Sequence, residues 1–203
     1  MVDGIPASTS IPVTVAQEGP SLMLRGHLSR ANPQAGSLEG ARVLVVFSGP
    51  HAYISPRHYD AERSVPTWDY VAVQASGTAH ALPAADVPAQ ETLLAELIAE
   101  HEPSLQTRRD RFPETFRHAM LRGIVGFEVP IDRLDGRAKL SGNKSAVERG
   151  RIAAALAASD DPSARDTGRW MTRREAALPD GGEEPRAPER YGPDCPFAPA
   201  SDE

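Results

Sequence analysis

Cysteine is almost absent from this sequence, since Cys195 is the only one among 203 residues. A disulfide within one chain and a cysteine-based zinc site are therefore excluded, and a domain of this size buries enough apolar surface to fold without them. No run of about 18 apolar residues is present. The first residues also lack the basic and apolar regions of a signal peptide. We therefore expect a soluble, cytoplasmic protein that has no membrane partner.

Several motifs that carry chemistry are also missing. The chain has no Gly-x-Ser-x-Gly elbow, no Gly-x-Gly-x-x-Gly loop and no His-Glu-x-x-His pair. His51 and His58 do not have an established metal-ligand spacing. No helix-turn-helix with a basic recognition face is evident. We therefore predict no catalytic residue and no metal site.

The formal charge is −6 and is unevenly distributed. Residues 179–203 contain seven acidic residues, two arginines and six prolines, so they account for five of the six net negative charges. Such a composition cannot offset the entropy cost of ordering. We predict a disordered, acidic, proline-rich tail at 179–203. The remaining chain is nearly neutral, and the overall charge is no argument against nucleic acid.

Hydrophobic periodicity divides the rest of the chain into strands and helices. Period-two or apolar runs predict strands at 11–15, 22–28, 43–47, 69–82 and 123–134, with a bend or bulge at Gly77 and an edge or bulge at Pro130. Helical spacing follows Asp86 and recurs after Pro113, over 145–159 and over 163–178. The prediction is an α+β, mainly β fold: a small barrel domain over 1–160, a C-terminal helix over 161–178, and the tail.

Three polar clusters could bind a ligand. Arg25, His27 and Ser29 share one strand face. His27 and Arg30, three residues apart, could hold a phosphate, but an exposed polar strand face is the simpler explanation. Trp68 could stack on a planar ring or close the end of the barrel. Residues 49–59 are predicted to form a loop that presents polar and aromatic tips.

A basic turn precedes the third predicted helix. The hydroxyl and N–H groups of residues 141–145 could cradle a phosphate at the positive end of that helix. The spacing is not that of a P-loop. Simple N-capping beside a solvated basic face explains the same residues.

Six motifs in a fixed order carry a resemblance to a known family: DGIPASTSIPV, GHLSRANPQ, VVFSGPHAYISPRHY, VPTWDYVAV, IVGFEVPID and KLSGNKS. Together they resemble the PaiB-type family of FMN-binding negative transcriptional regulators, which have an FMN-binding split β-barrel with flanking helices. The resemblance implies a homodimer that binds FMN at its subunit interface. It also implies a regulatory protein, more than an enzyme, that acts on DNA or on a regulatory protein partner.

The resemblance also implies roles for individual residues. Phosphate contacts are expected from Arg30, Lys139, Ser141 and Lys144; ring contacts are expected from His27, Thr67 and Trp68; and wall positions are expected at Tyr53 and Ser55. Family members usually have a helix and a first strand before the DGIPASTSIPV segment, with which this chain almost begins. Ser10, Gly142 and Lys144 replace the family's His, Gln and Arg, which predicts weakened or lost FMN binding. The alternatives are an FMN-dependent oxidoreductase like pyridoxamine-phosphate oxidase, or a truncated, cofactor-free binding module.

Overall fold

Six strands form one sheet in the computed structural model, which describes residues 4–19, 21–105, 108 and 111–177. The predicted tail lies outside the described residues. The strand order is β1-β2-β6-β4-β3, and β5 pairs with β6. The strands are β1 Val13–Glu18, β2 Ser21–Ser29, β3 Arg42–Ile54, β4 Thr67–Thr78, β5 His80–Ala81 and β6 Ile124–Lys139.

Four helices with clear bounds lie in the described part of the chain: α1 Val87–His101, α2 Glu114–Leu121, α3 Ala146–Ala157 and α4 Pro162–Ala177. Asp86 caps α1 by accepting from the Ala89 N–H, as the sequence predicts. With antiparallel pairing in the β1–β2, β2–β6 and β5–β6 ladders, these elements confirm the α+β, mainly β class. None of the described helices has the length and apolar character needed to cross a membrane.

The chain divides into two compact units, and the first comprises the described residues within 1–48 and 72–137. Alternation along β2 turns Leu24 and Leu28 inward, where they pack with Phe127 and Val129 of β6. Leu38, Ala75 and Ala79 complete the buried cluster. This apolar face explains why the segment around β2 and β6 folds as a sheet.

Pro130 was predicted to mark a strand edge or a bulge, and the prediction of an edge strand is wrong. β6 lies between β2 and β4 in the sheet order. Pro130 pairs with Met23 at the end of the β2–β6 ladder, where its missing N–H is least costly. A Cβ atom added at Gly77 would lie 2.1 Å from the Pro130 carbonyl oxygen. Glycine is therefore needed at 77 for a close approach of two backbones.

The second unit comprises the described residues within 49–71 and 138–177. Its core contains Ile54, Leu140, Ile152 and Met171, together with Ala52, Leu156 and Ala164. Gly168 lets α4 approach α3 closely, since a Cβ there would lie 3.1 Å from the Ala153 carbonyl oxygen. The helix pair and the strand ends thus share one apolar core.

The predicted loop over residues 49–59 is wrong for its first half, because β3 continues to Ile54. Ala52 and Ile54 are buried while His51 and Tyr53 are exposed, which is the alternation of a half-buried strand. Gly49 and Pro50 are typical of loops but do not end the strand. Burial of Ala52 and Ile54 in the second core outweighs that local preference.

Candidate functional site

Most of the predicted cofactor-binding residues lie in the second unit: Tyr53, Ser55, Thr67, Trp68, Lys139, Ser141 and Lys144. His27 and Arg30 lie in the first unit.

Lys139, at the end of β6, has an ammonium group that two neighbours hold in place. It donates to Thr67 Oγ1 at 2.5 Å and also to the backbone carbonyl oxygen of Trp68. The side chain retains 37% exposure. The ammonium is thus both fixed and accessible, which suits a group that binds an anion.

An exposed aromatic cluster, made of His51, Tyr53 and Trp68, lies on β3 and β4. The Trp68 ring centroid is 6.0 Å from that of His51 and 6.1 Å from that of Tyr53, the latter pair edge to face. Trp68 is 53% exposed and Tyr53 is 51% exposed. Large aromatic surfaces left in water at one place favour stacking with a planar ligand or a partner.

A buried carboxylate, Asp69, lies behind Lys139. Ser141 donates its hydroxyl hydrogen to Asp69 Oδ2 at 2.6 Å. Asp69 Oδ1 has no hydrogen-bond partner among the described residues and lies 4.0 Å from Lys139 Nζ. Burial raises the pKa of Asp69 above its usual range, and the Ser141 hydrogen bond and the Lys139 charge oppose that rise. The hydroxyl of Ser141, which was predicted to contact a phosphate, therefore donates its hydrogen to an acceptor inside the protein.

Two predicted site residues, Lys144 in the basic turn after β6 and Ser55 after β3, make contacts within the protein. The Lys144 ammonium lies 3.9 Å from the centre of the Tyr59 ring, a cation–π contact. Burial, with the charges of Asp69 and Glu148, raises the pKa of Tyr59. Ser55 caps a short 3₁₀ turn, Pro56–His58, by accepting from the Arg57 N–H. Lys144 and Ser55 thus have structural partners of their own.

An internal carboxylate occupies the N-terminus of α3. Ser145 Oγ accepts from the Glu148 N–H, and Glu148 accepts from the Ser145 N–H and hydroxyl and from the Asp60 N–H. These donors lower the pKa of Glu148 to about 2. N-capping, one of the two explanations considered from the sequence, accounts for Ser145.

In the first unit, the two predicted residues have other surroundings. Arg30 donates to the carbonyl oxygens of Arg122 and Ile124 at 2.8 and 2.7 Å. His27 is half-buried, and its Nδ1 has no hydrogen-bond partner within the described chain. Burial lowers its pKa. Arg25, on the same strand face, pairs with Glu128 at 2.7 Å and with Glu96 at 3.3 Å, beside a cavity of about 190 Å³.

Three residues of the second-unit site were missed as site residues from the sequence: His51, Tyr59 and Asp69. The period-two pattern of β4 carries a usable signal for Asp69, because Trp68 and Asp69 must point to opposite faces. If Trp68 is the exposed residue, Asp69 is the buried one. Nothing local indicates that Tyr59 would meet Lys144.

FMN is a planar ring system with a phosphate at the end of a flexible chain, and the second unit offers groups of matching chemistry. The fixed ammonium of Lys139 suits the phosphate, and the exposed faces of Trp68 and Tyr53 suit the ring. Within the described residues, no group of three or more potential metal ligands occurs. The donor set therefore fits a flavin nucleotide and defines a candidate flavin-binding protein.

Comparison with known proteins agrees with this chemistry. The family model described as "Putative FMN-binding domain" matches residues 2–133, and the chain belongs to this family. The chain is 30% identical to "Protease synthase and sporulation protein PAI 2" of Bacillus subtilis, over 83% of this chain and 81% of that protein. It is 29% identical to an uncharacterised protein of Aspergillus fumigatus over 71% of each chain.

A solved structure, the flavocytochrome Anf3 from Azotobacter vinelandii, matches with a TM-score of 0.49 and 15% identity, covering 98% of this chain and 78% of that one. The sequence relatives confirm the resemblance to the PaiB-type family, and the family model confirms FMN as its cofactor. Lys139, Ser141 and Lys144 lie beyond the range that the family model matches.

Proposed function

We propose that this protein binds FMN in its second unit, with the phosphate on Lys139 and the ring against Trp68 and Tyr53. One observation carries the proposal: the Lys139 ammonium is fixed by Thr67 and by the backbone carbonyl oxygen of Trp68, the residue whose ring is exposed. One residue thus presents a ring to the ligand and also fixes the cation. Membership of an FMN-binding family supports the choice of ligand.

FMN, when bound, supplies reversible one-electron and two-electron chemistry, and the protein supplies position and environment. Thr67 orients the ammonium, and Trp68 and Tyr53 exclude water from one ring face. Lys144 adds positive charge in the basic turn at residues 141–145. Ser55 and Ser141 shape the backbone, and Arg30 holds the start of β6 through two carbonyl oxygens.

The proposal is tested by titrating the purified protein with FMN and with riboflavin, following flavin fluorescence. Lys139→Met should weaken FMN binding at least about tenfold, because an ion pair with a phosphate is lost. Riboflavin has no phosphate, so its affinity should stay within about twofold. Arg63→Met, which removes an exposed cation from the same unit, is the matched control. Absence of flavin binding by the unaltered protein contradicts the proposal.

We also propose that the chain forms a homodimer. Leu44 and Val46 on the edge strand β3 are 58% and 51% exposed, and apolar side chains at a strand edge favour pairing with another chain. Light scattering should give twice the chain mass, and Val46→Glu should give the monomer. A monomeric unaltered protein at high concentration contradicts the dimer.

The regulatory role is proposed from the family resemblance: a cytoplasmic negative regulator of transcription that acts on DNA or through a protein partner. Duplex DNA binding that weakens steeply with salt, and that differs with and without FMN, would support direct action. No binding to duplex DNA at low salt would leave only the route through a partner.

A further inference from the structure

Asp69 has an unusual position for a carboxylate. Its side chain is completely buried, and its Oδ2 accepts a hydrogen bond from the Ser141 hydroxyl at 2.6 Å. Oδ1 has no hydrogen-bond partner in the part of the chain that the structure describes. Buried charges are normally paired and fully hydrogen-bonded, because an unpartnered one is costly. Asp69 is therefore maintained at a cost to stability, which calls for an explanation outside the packing of the core.

Asp69 does not hold the Lys139 ammonium in place by a direct hydrogen bond, so such a bond does not explain why a carboxylate is buried there. The distance from Asp69 Oδ1 to Lys139 Nζ is 4.0 Å, which is too long for a hydrogen bond. Thr67 Oγ1 and the Trp68 carbonyl oxygen already accept from that nitrogen. Asp69 therefore acts on Lys139 through its charge.

Among the cations that face Asp69, Lys139 attracts its charge most strongly. Arg174 of α4 contributes a weaker attraction, and its guanidinium donates to the Leu140 carbonyl oxygen. Tyr59 faces Asp69 from the segment after β3, and the charge of Asp69 contributes to the raised pKa of Tyr59. Among the described residues, Ser141 is the hydrogen-bond donor to Asp69, through its hydroxyl and its backbone N–H. The negative charge of Asp69 thus acts mainly on the Lys139 ammonium, which is exposed to ligands.

We propose that Asp69 is the internal counter-anion of Lys139, with which a bound phosphate or other anion must compete. The identity of the anion as the FMN phosphate rests on the function proposed above. Asp69 is a positioning residue, since it acts on the ligand only through Lys139. It sets the affinity of the site below what the ammonium alone would give.

A substitution that removes the charge and keeps the shape should therefore tighten anion binding. Asp69→Asn retains an oxygen that accepts from Ser141. Removal of a unit charge about 7 Å from a bound dianion strengthens binding roughly tenfold even at the dielectric constant of water, about 80. A purely structural carboxylate predicts the opposite, because its loss would loosen the site.

The experiment measures sulfate, FMN and riboflavin binding by calorimetry to the full chain. Asp69→Asn should bind sulfate and FMN about tenfold more tightly and riboflavin unchanged. Asp60→Asn is the matched control, because Asp60 is an exposed carboxylate of the same unit paired with Arg151, and it should match the unaltered protein. Combining Lys139→Met with Asp69→Asn should abolish the gain. Unchanged or weaker sulfate binding by Asp69→Asn overturns the proposal.

A second measurement covers the case in which Asp69→Asn does not fold. Sulfate remains a dianion over the acid range, so acidification of the unaltered protein should tighten sulfate binding as Asp69 takes up its proton. Lys139→Met should lack that change, and a flat profile in the unaltered protein overturns the inference. If sulfate behaves as expected and FMN does not bind, the flavin proposal fails and the counter-anion role stands.

Discussion

Ser141 donates to Asp69 Oδ2 at 2.6 Å although 72 positions of sequence separate the two residues. Ser141 also adopts a left-handed backbone with φ of 54°, which is costly for any residue except glycine. We expect Ser141→Ala to destabilise the protein more than Ser141→Gly, by about 1 kcal/mol. Both variants lose the hydrogen bond, and only glycine relieves the backbone. Chemical denaturation of the two variants measures this difference, and an alanine variant as stable as the glycine one would contradict it.

Gly77 is predicted to tolerate no side chain. A Cβ at this position would lie 2.1 Å from the Pro130 carbonyl oxygen and 2.7 Å from Val129 Cγ1. Gly77→Ala should therefore cost about 2 to 4 kcal/mol or prevent folding, since two strands would have to separate. Gly36→Ala is the matched control, because no atom lies within 4 Å of a Cβ there. Thermal melting compares the two, and equal midpoints would count against the close approach.

Trp68 is predicted to affect ring binding irrespective of the phosphate. Trp68→Leu should weaken FMN and riboflavin binding by a similar factor, about tenfold, because both ligands carry the same ring and lose the same stacking. The backbone carbonyl oxygen of residue 68, which accepts from the Lys139 ammonium, remains in this variant. Fluorescence titration of both flavins gives the two ratios. A loss confined to FMN would show that Trp68 acts through Lys139 rather than on the ring.

Glu148 links stability to acid pH. Its folded pKa of about 2 is depressed from the ordinary value of 4.5, so its contribution is fully present above the ordinary value and is lost as pH falls toward 2. Glu148→Gln should lower the melting temperature by several degrees at pH 7. The gap between the two proteins should close between pH 4.5 and pH 2. Glu62→Gln, an exposed residue of the same unit, should show no such gap.

The strands and helices could largely be predicted from local signals. Asp86 caps α1 as expected, Ser145 caps α3, which was one of two explanations for its turn, and the alternation in β2 predicts the inward leucines. β1 begins at Val13 and ends at Glu18, which is later than the predicted 11–15, because pairing with β2 sets its extent. Strand ends are thus decided by partners, which a local pattern does not contain.

The candidate site shows the same division. An exposed Trp68 and a basic turn at 141–145 could be anticipated from residue type. The meeting of Lys139 with Thr67, and of Ser141 with Asp69, depends on which strands are neighbours. The persistence of β3 beyond Pro50 depends on a core in the second unit that no local window shows. The family motifs predicted the ligand, and tertiary contacts determine which side chains are available to it.

The Glu148 carboxylate accepts hydrogens from residues 60 and 145, and so joins the segment after β3 to the start of α3. The two amides it receives are therefore shielded by one shared acceptor. In amide hydrogen exchange they should open together, as one small cooperative unit. Residues 60 and 145 lie on either side of β4 and β6 in the sequence. The segment around residue 60 and the end of the basic turn at residue 145 would then lose order in a single step.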